Sequence, residues 1–191
     1  MRIKDLIYNQ NIGNLELIKR RCDQFLEESG GFPLVKQLPH TYEDFQKVKV
    51  RKRKHSNTFS STFNGAFKDE LYDLRERAIF ANGLINYEHE IQESFDLFYV
   101  FPINGYKFLY SKEVENSTEN YKQVFESIFD QLSEESAKDV FTDLLRFSYL
   151  SENLAEGISS NAEIIMYGIP YYYAIRESQI YNYDELLTML I

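Results

Sequence analysis

Leu15, Ile18, Cys22, Phe25 and Leu26 recur every three or four residues, the period of one helix face, and Gly30-Gly31 followed by Pro33 closes the run. This predicts a helix over residues 14–28. Phe63, Phe67, Leu71, Leu74 and Ala78 mark a second amphipathic helix, preceded by the polar stretch 55–62, in which a Ser or Thr would cap it. Tyr121, Val124, Phe125, Ile128, Phe129 and Leu132 share a third stripe, with capping residues at 116–118. Ser133, Glu134, Glu135 and Ser136 open a fourth helix, whose expected buried face is Ala137, Val140, Phe141, Leu144, Leu145 and Tyr149. Leu154 and Ile158 suggest a short helix ending near Gly157, and 184–190 a terminal one.

Between the helices the pattern changes to that of strands. In DLFYVFPINGYKFLYS, two aromatic-rich runs flank Asn104-Gly105, the preferred pair for a two-residue hairpin turn, so 97–102 and 106–110 are expected to form a β-hairpin. Phe98 and Val100 occupy one parity and Tyr99 and Phe101 the other, which places the first strand centrally with both faces covered. Pro102 lacks a ladder donor and suggests an edge or a bulge there. Residues 162–175 read as a strand pair broken at Gly168 and Pro170. The order predicts a single α+β domain with a largely antiparallel sheet: a helical part at 1–46, a strand-containing core at 47–175 and a C-terminal helix at 176–191.

Charge adds one feature to this outline. Residues 47–54, KVKVRKRK, carry six cations on a chain of 191 residues whose net charge is −9 and whose pI is near 4.9. As a strand, this run puts Lys47, Lys49, Arg51 and Arg53 on one face. Such a row can grip a diphosphate, an RNA backbone or an acidic partner, and it can equally be solvated surface or edge protection. Fifteen Phe and fifteen Tyr supply a large core, and 43% hydrophobic residues exclude a disordered chain. Cys22 has no disulfide partner, which suits a reducing compartment, and three scattered histidines with one cysteine make no standard zinc site. No secretory signal or 18-residue apolar run is present, so a soluble protein without membrane contact is expected.

Walker, Rossmann, HExxH and nucleophile-elbow motifs are absent. His40 beside Tyr42, Glu43 and Asp44 is capable of acid–base work, but such polar helix starts are common. Glu163 is a lone acid where the strand EIIMY leaves a Ser-Ser-Asn turn. That position suits stabilisation of a developing cation, or a salt bridge to the basic strand.

Taken in order, the basic strand, the run Arg77 to Gly83 and the late acid in AEIIMYG resemble the ADP-ribosyltransferase superfamily. The segments VKVRKRK, FPINGYKFLYS and AEIIMYGIPYYYAI also resemble an uncharacterised protein family of large tailed bacteriophages. The first resemblance implies NAD as cofactor, with Arg51 or Arg53 on its diphosphate, Phe80 and Asn82 at the nicotinamide pocket and Glu163 at the ribose. Asn82-Gly83 stands where that superfamily has Ser-Thr-Ser, and Ala162 and Asn161 precede the acid where it has Glu-x-Glu. Two functions of different classes follow. One is an ADP-ribosyltransferase-like phage protein modifying a host macromolecule. The alternative is a non-catalytic structural or host-inhibitory phage protein that docks a host or viral protein through its basic strand and acidic helices. Either would act in the host cytoplasm or the virion. A third reading is nucleic-acid binding by Lys47–Lys54.

Overall fold

A computed structural model describes residues 13–50, 52, 57–67, 74–83, 91–112, 117–160, 162–180 and 183–190. Residues 13–21 form helix α1, and α2, Asp23–Glu28, follows a break at Cys22. The single helix expected over 14–28 is interrupted because Cys22 leaves helical geometry, at φ −128° and ψ 20°, with its thiol 3.5 Å from the Phe101 carbonyl. Strand β1, Leu34–Pro39, comes next, so the sheet begins within the part expected to be helical. Strand β2, Phe45–Lys49, holds only Lys47 and Lys49 of the basic run.

Helix α3, Thr58–Ala66, starts five residues before the expected apolar stripe. Its cap is Asn57, whose side chain accepts the Ser60 N–H at 2.8 Å. Helix α4, Leu74–Arg77, leads into β3, Ile79–Gly83, a strand the sequence pattern did not reveal. Then come β4, Phe95–Pro102, and β5, Lys107–Tyr110, followed by the long helices α5, Ser117–Gln131, and α6, Glu134–Ser148. Helix α7 runs Leu154–Ser159, and Gly157 lies inside it rather than at its end. Its Cβ position would fall 2.8 Å from the Tyr110 ring, so a glycine there lets the helix lie against that ring. Strands β6, Glu163–Tyr167, and β7, Tyr171–Arg176, a 3-10 turn at Glu177–Gln179 and helix α8, Tyr183–Leu190, complete the α+β fold.

Among the described residues all the strand pairings are antiparallel, in the order β2-β7-β4-β1-β3-β6-β5. Strand β4 is interior, and its last five residues are buried, as its double apolar parity required. The hairpin is not formed. Strand β4 pairs with β1 and β7, whereas β5 pairs with β6. The Asn104-Gly105 turn is instead docked on α2. Gln24 Oε1 accepts the Gly105 N–H at 2.8 Å, Asn104 Oδ1 accepts the Gln24 N–H at 3.2 Å, and Tyr106 Oη donates to Glu28 Oε2 at 2.6 Å. Burial first, and then the Glu28 carboxylate, push the Tyr106 hydroxyl far above the ordinary phenol range. Pro102 lies at the end of an interior strand, opposite Tyr172, not on an edge.

Consecutive strands β6 and β7 also part company, four places apart in the sheet. Chain length then fixes the sheet's shape. Four steps from Tyr167 to Tyr171 span at most about 14 Å, but strands four places apart in a flat sheet lie about 19 Å apart. The sheet must fold over on itself, and the two short turns bridge its halves: the Cβ position of Gly168 lies 3.5 Å from the Gly105 carbonyl oxygen. The bend falls between β1 and β3, whose pairing is limited to Leu34–Gly83 and Val35–Asn82. One core cluster joins α1, α2 and α8 to both halves of the sheet. The other packs α3, α5 and α6 against Leu109, Ile165 and Tyr167.

Candidate functional site

Strand register brings three of the expected site residues together. Asn82 lies directly opposite Glu163 across the β3–β6 pair, and Phe80 opposite Ile165. Cross-strand partners point to the same face, and so do residues two apart along a strand, so Phe80, Asn82 and Glu163 share one face. The Glu163 carboxylate is half-buried and accepts the backbone N–H of Ser117, the first residue of α5, at 3.1 Å. A carboxylate at a helix start is favoured by the exposed amides and the helix dipole. The Lys36 ammonium donates to the Phe80 carbonyl oxygen at 2.6 Å, which places a cation from β1 at the edge of the group.

The floor of this face is aromatic. Ile165 and Tyr167 continue it into the cluster where Phe59 and Phe141 stand 5.5 and 5.0 Å, respectively, from the Phe125 ring, centre to centre. Phe80 packs against the same cluster.

The cations assigned to the diphosphate, Arg51 and Arg53, lie outside the described residues. The expected strand over 47–54 ends at Lys49, and Val50 then donates its N–H to the Pro170 carbonyl at 2.9 Å. Pro170 stands three residues beyond Tyr167, the last residue of β6, and directly before β7, whereas Glu163 is the first residue of β6. The described end of the basic segment is therefore anchored at the opposite end of β6 from the acid, with about 13 Å of strand between. Lys47 and Lys49 are exposed, Val48 is buried, and β2 is an edge strand, so the alternation expected for the run holds over these three residues.

His40 and Asp44 are engaged by neighbouring strands. The imidazole Nδ1 lies 2.9 Å from Asp96 Oδ1, and Nε2 faces the Glu93 carbonyl. Asp44 is paired with Arg176 Nε at 2.7 Å. Cys22 is fully buried, and burial, helped by the Asp23 charge, pushes its thiol up to about 12, which leaves it without thiolate character. Among the described residues, no group of three or more His, Cys, Asp or Glu could hold a metal ion, and no helix is long and apolar enough to cross a membrane.

The outer face of α6 departs from the expected burial. Val140, expected in the core, is 47% exposed, and Phe147 is 90% exposed. With the half-buried Leu144 they sit at i, i+4 and i+7, a single stripe. The buried side of α6 is Ala137, Phe141 and Leu145, and Phe147 is about 200° around the axis from Leu145. That angular offset was the available signal. Glu135, Asp139 and Asp143 are exposed beside the stripe, giving an apolar ridge with an acidic border. No family model, curated protein or solved structure matches the chain.

Proposed function

We propose that this chain is a non-catalytic docking protein, structural or inhibitory in a phage-infected bacterium, that receives a basic amphipathic helix of a host or viral protein on the outer face of α6. The observation that carries the reading is Phe147, a large aromatic with almost all of its surface in water, aligned with Val140 on an acid-bordered stripe. Large rings contribute most to binding when they become central anchors, and neighbouring charges select the partner by complementarity. The test places a photo-crosslinking amino acid at position 147 and identifies the captured peptide by mass spectrometry. A Lys/Arg-rich helical segment is expected, lost with Val140→Asp, a substitution at a half-exposed site. Capture of acidic or extended segments, or only of a second copy of this chain, refutes the reading.

The facing pair Asn82 and Glu163 favours a second reading, an NAD-binding ADP-ribosyltransferase-like protein. There Glu163 would stabilise the cationic ribose as nicotinamide leaves, with Arg51 or Arg53 neutralising the diphosphate. Docking is preferred because the Glu163 carboxylate already holds the start of α5 and rings pack the floor beneath it. Labelled NAD incubated with bacterial lysate decides between them. The docking reading expects no label transfer above background; transfer by wild type that falls at least a hundredfold in Glu163→Gln establishes the transferase instead.

A further inference from the structure

Sheet edges exposed to water usually carry polar side chains, but the β2–β7 pair keeps aromatic rings and cations together on one face. Register pairs Phe45 with Ile175, Lys47 with Tyr173 and Lys49 with Tyr171, so Phe45, Lys47, Lys49, Tyr171 and Tyr173 share a face, while Val48 and Tyr172 are buried on the other. Phe45 stacks on Tyr173 at 5.6 Å with 19° between the ring planes. Tyr171 meets the same Tyr173 edge-on at 5.7 Å. The Lys47 ammonium sits over one face of the Tyr171 ring, 3.8 Å from its centre, a cation–π contact that leaves the other face of the ring for stacking. Phe45 and Tyr171 are half-buried, and Lys47, Lys49 and Lys52 are exposed.

A second segment adds to the positive field. Burial chiefly raises the Tyr173 hydroxyl, to about 12, with its bond to Tyr171 next, and the charge of Arg21 from α1 acts on it in the opposite sense. Arg21 is exposed and lies 26 residues before Lys47 in the chain. Of the acids near β2, Asp44 is engaged by Arg176.

We infer that this face binds single-stranded nucleic acid, with Lys47 and Lys49 along the phosphates and Tyr171 and Phe45 as base-stacking platforms. Lysines two apart on a strand are about 6.7 Å apart, comparable with the step between successive phosphates of an extended strand. Rings beside a cationic row are the combination by which proteins hold single strands without reading sequence. An acidic protein segment would use the lysines but gain nothing from the rings. The inference is independent of the docking face on α6, which belongs to a different element and carries the opposite charge.

Fluorescence anisotropy of the full-length chain with dye-labelled single strands of about 12 nucleotides, DNA and RNA, a duplex of the same sequence and polyglutamate tests it. Single strands are expected to bind at low salt and more tightly than the duplex or polyglutamate. The slope of log affinity against log salt should fall by about 1.4 in Lys47→Ala/Lys49→Ala, about 0.7 for each phosphate that no longer meets a lysine. Tyr171→Ala should weaken binding at least fivefold at fixed salt, the lower end of what stacking one base supplies, with Tyr171→Phe unchanged. Lys47→Glu/Lys49→Glu, at exposed positions with the unfolding midpoint checked, should abolish binding. No anisotropy change for any single strand at low salt, equal affinity in the double lysine variant, or tighter binding of polyglutamate overturns the inference.

Discussion

Arg176→Ala is expected to lower the unfolding free energy by about 3 kcal/mol, read as a fall in the urea midpoint with an unchanged slope. The side chain is only 15% exposed and every part of its guanidinium is engaged. Its Nε pairs with Asp44 Oδ1 at 2.7 Å, and Nη1 meets Asp96 Oδ2. Nη2 donates to the Tyr42 and His40 carbonyl oxygens, and the plane lies 4.9 Å from the Phe98 ring centre. One side chain at the end of β7 thus ties the β1–β2 turn to the start of β4. Removing it leaves the Asp96 carboxylate, at 32% exposure, with only the His40 imidazole beside it among the described residues, and strips two backbone carbonyls of a charged donor. Arg176→Lys should recover less than half the loss, since an ammonium cannot reproduce the planar fork. Asp44→Asn should cost under about 1 kcal/mol, because that carboxylate is 57% exposed and screened. If Arg176→Ala moved the midpoint no more than Asp44→Asn, the keystone role would be wrong.

The sequence showed which segments are helix or strand more clearly than which strands touch. Strand β4 was legible because both its parities are apolar, and α5 and α6 because their stripes repeat over four turns. Strand β1, LVKQLP, was hidden because it has neither clean alternation nor an aromatic run, and β3, IFANG, because its Asn and Gly read as a turn. Pairing failed for a different reason. Asn104-Gly105 is a turn, as its composition says, but turn chemistry specifies only a reversal of the chain. The partners were chosen by the bonds from Gln24 and Glu28 to residues 104–106, and those arise from residues some eighty positions away. Of the expected site, Asn82 and Glu163 do face each other, yet nothing in either segment foretold the Ser117 amide that takes up the carboxylate. The exposure of Phe147 was partly legible, since no helix face can bury residues 200° apart against one sheet.

Gly83→Ala is expected to cost about 3 kcal/mol, the upper end of what overpacking does in a well-filled interior. Glycine in a strand ordinarily weakens it, and its presence at the last position of β3 needs a reason. The backbone supplies one. A Cβ there would stand 2.0 Å from the Ile158 carbonyl oxygen and 3.0 Å from its carbon. Main-chain atoms of α7 cannot swing aside as a side-chain tip would, so helix or strand must move. Gly83 also pairs with Leu34 at the short β1–β3 seam where the sheet bends, and it adjoins Asn82, the residue facing Glu163. The same methyl should therefore both lower the unfolding midpoint and release the backbone amides of β3 to faster hydrogen exchange, while those of β2 and β7 keep wild-type protection. Gly65→Ala is the control: it lies near the end of α3 with nothing within 4 Å of its Cβ position, and should be neutral or stabilising by up to about 1 kcal/mol. Equal effects from the two substitutions would mean that the contact between α7 and β3 is not the constraint that keeps glycine at position 83.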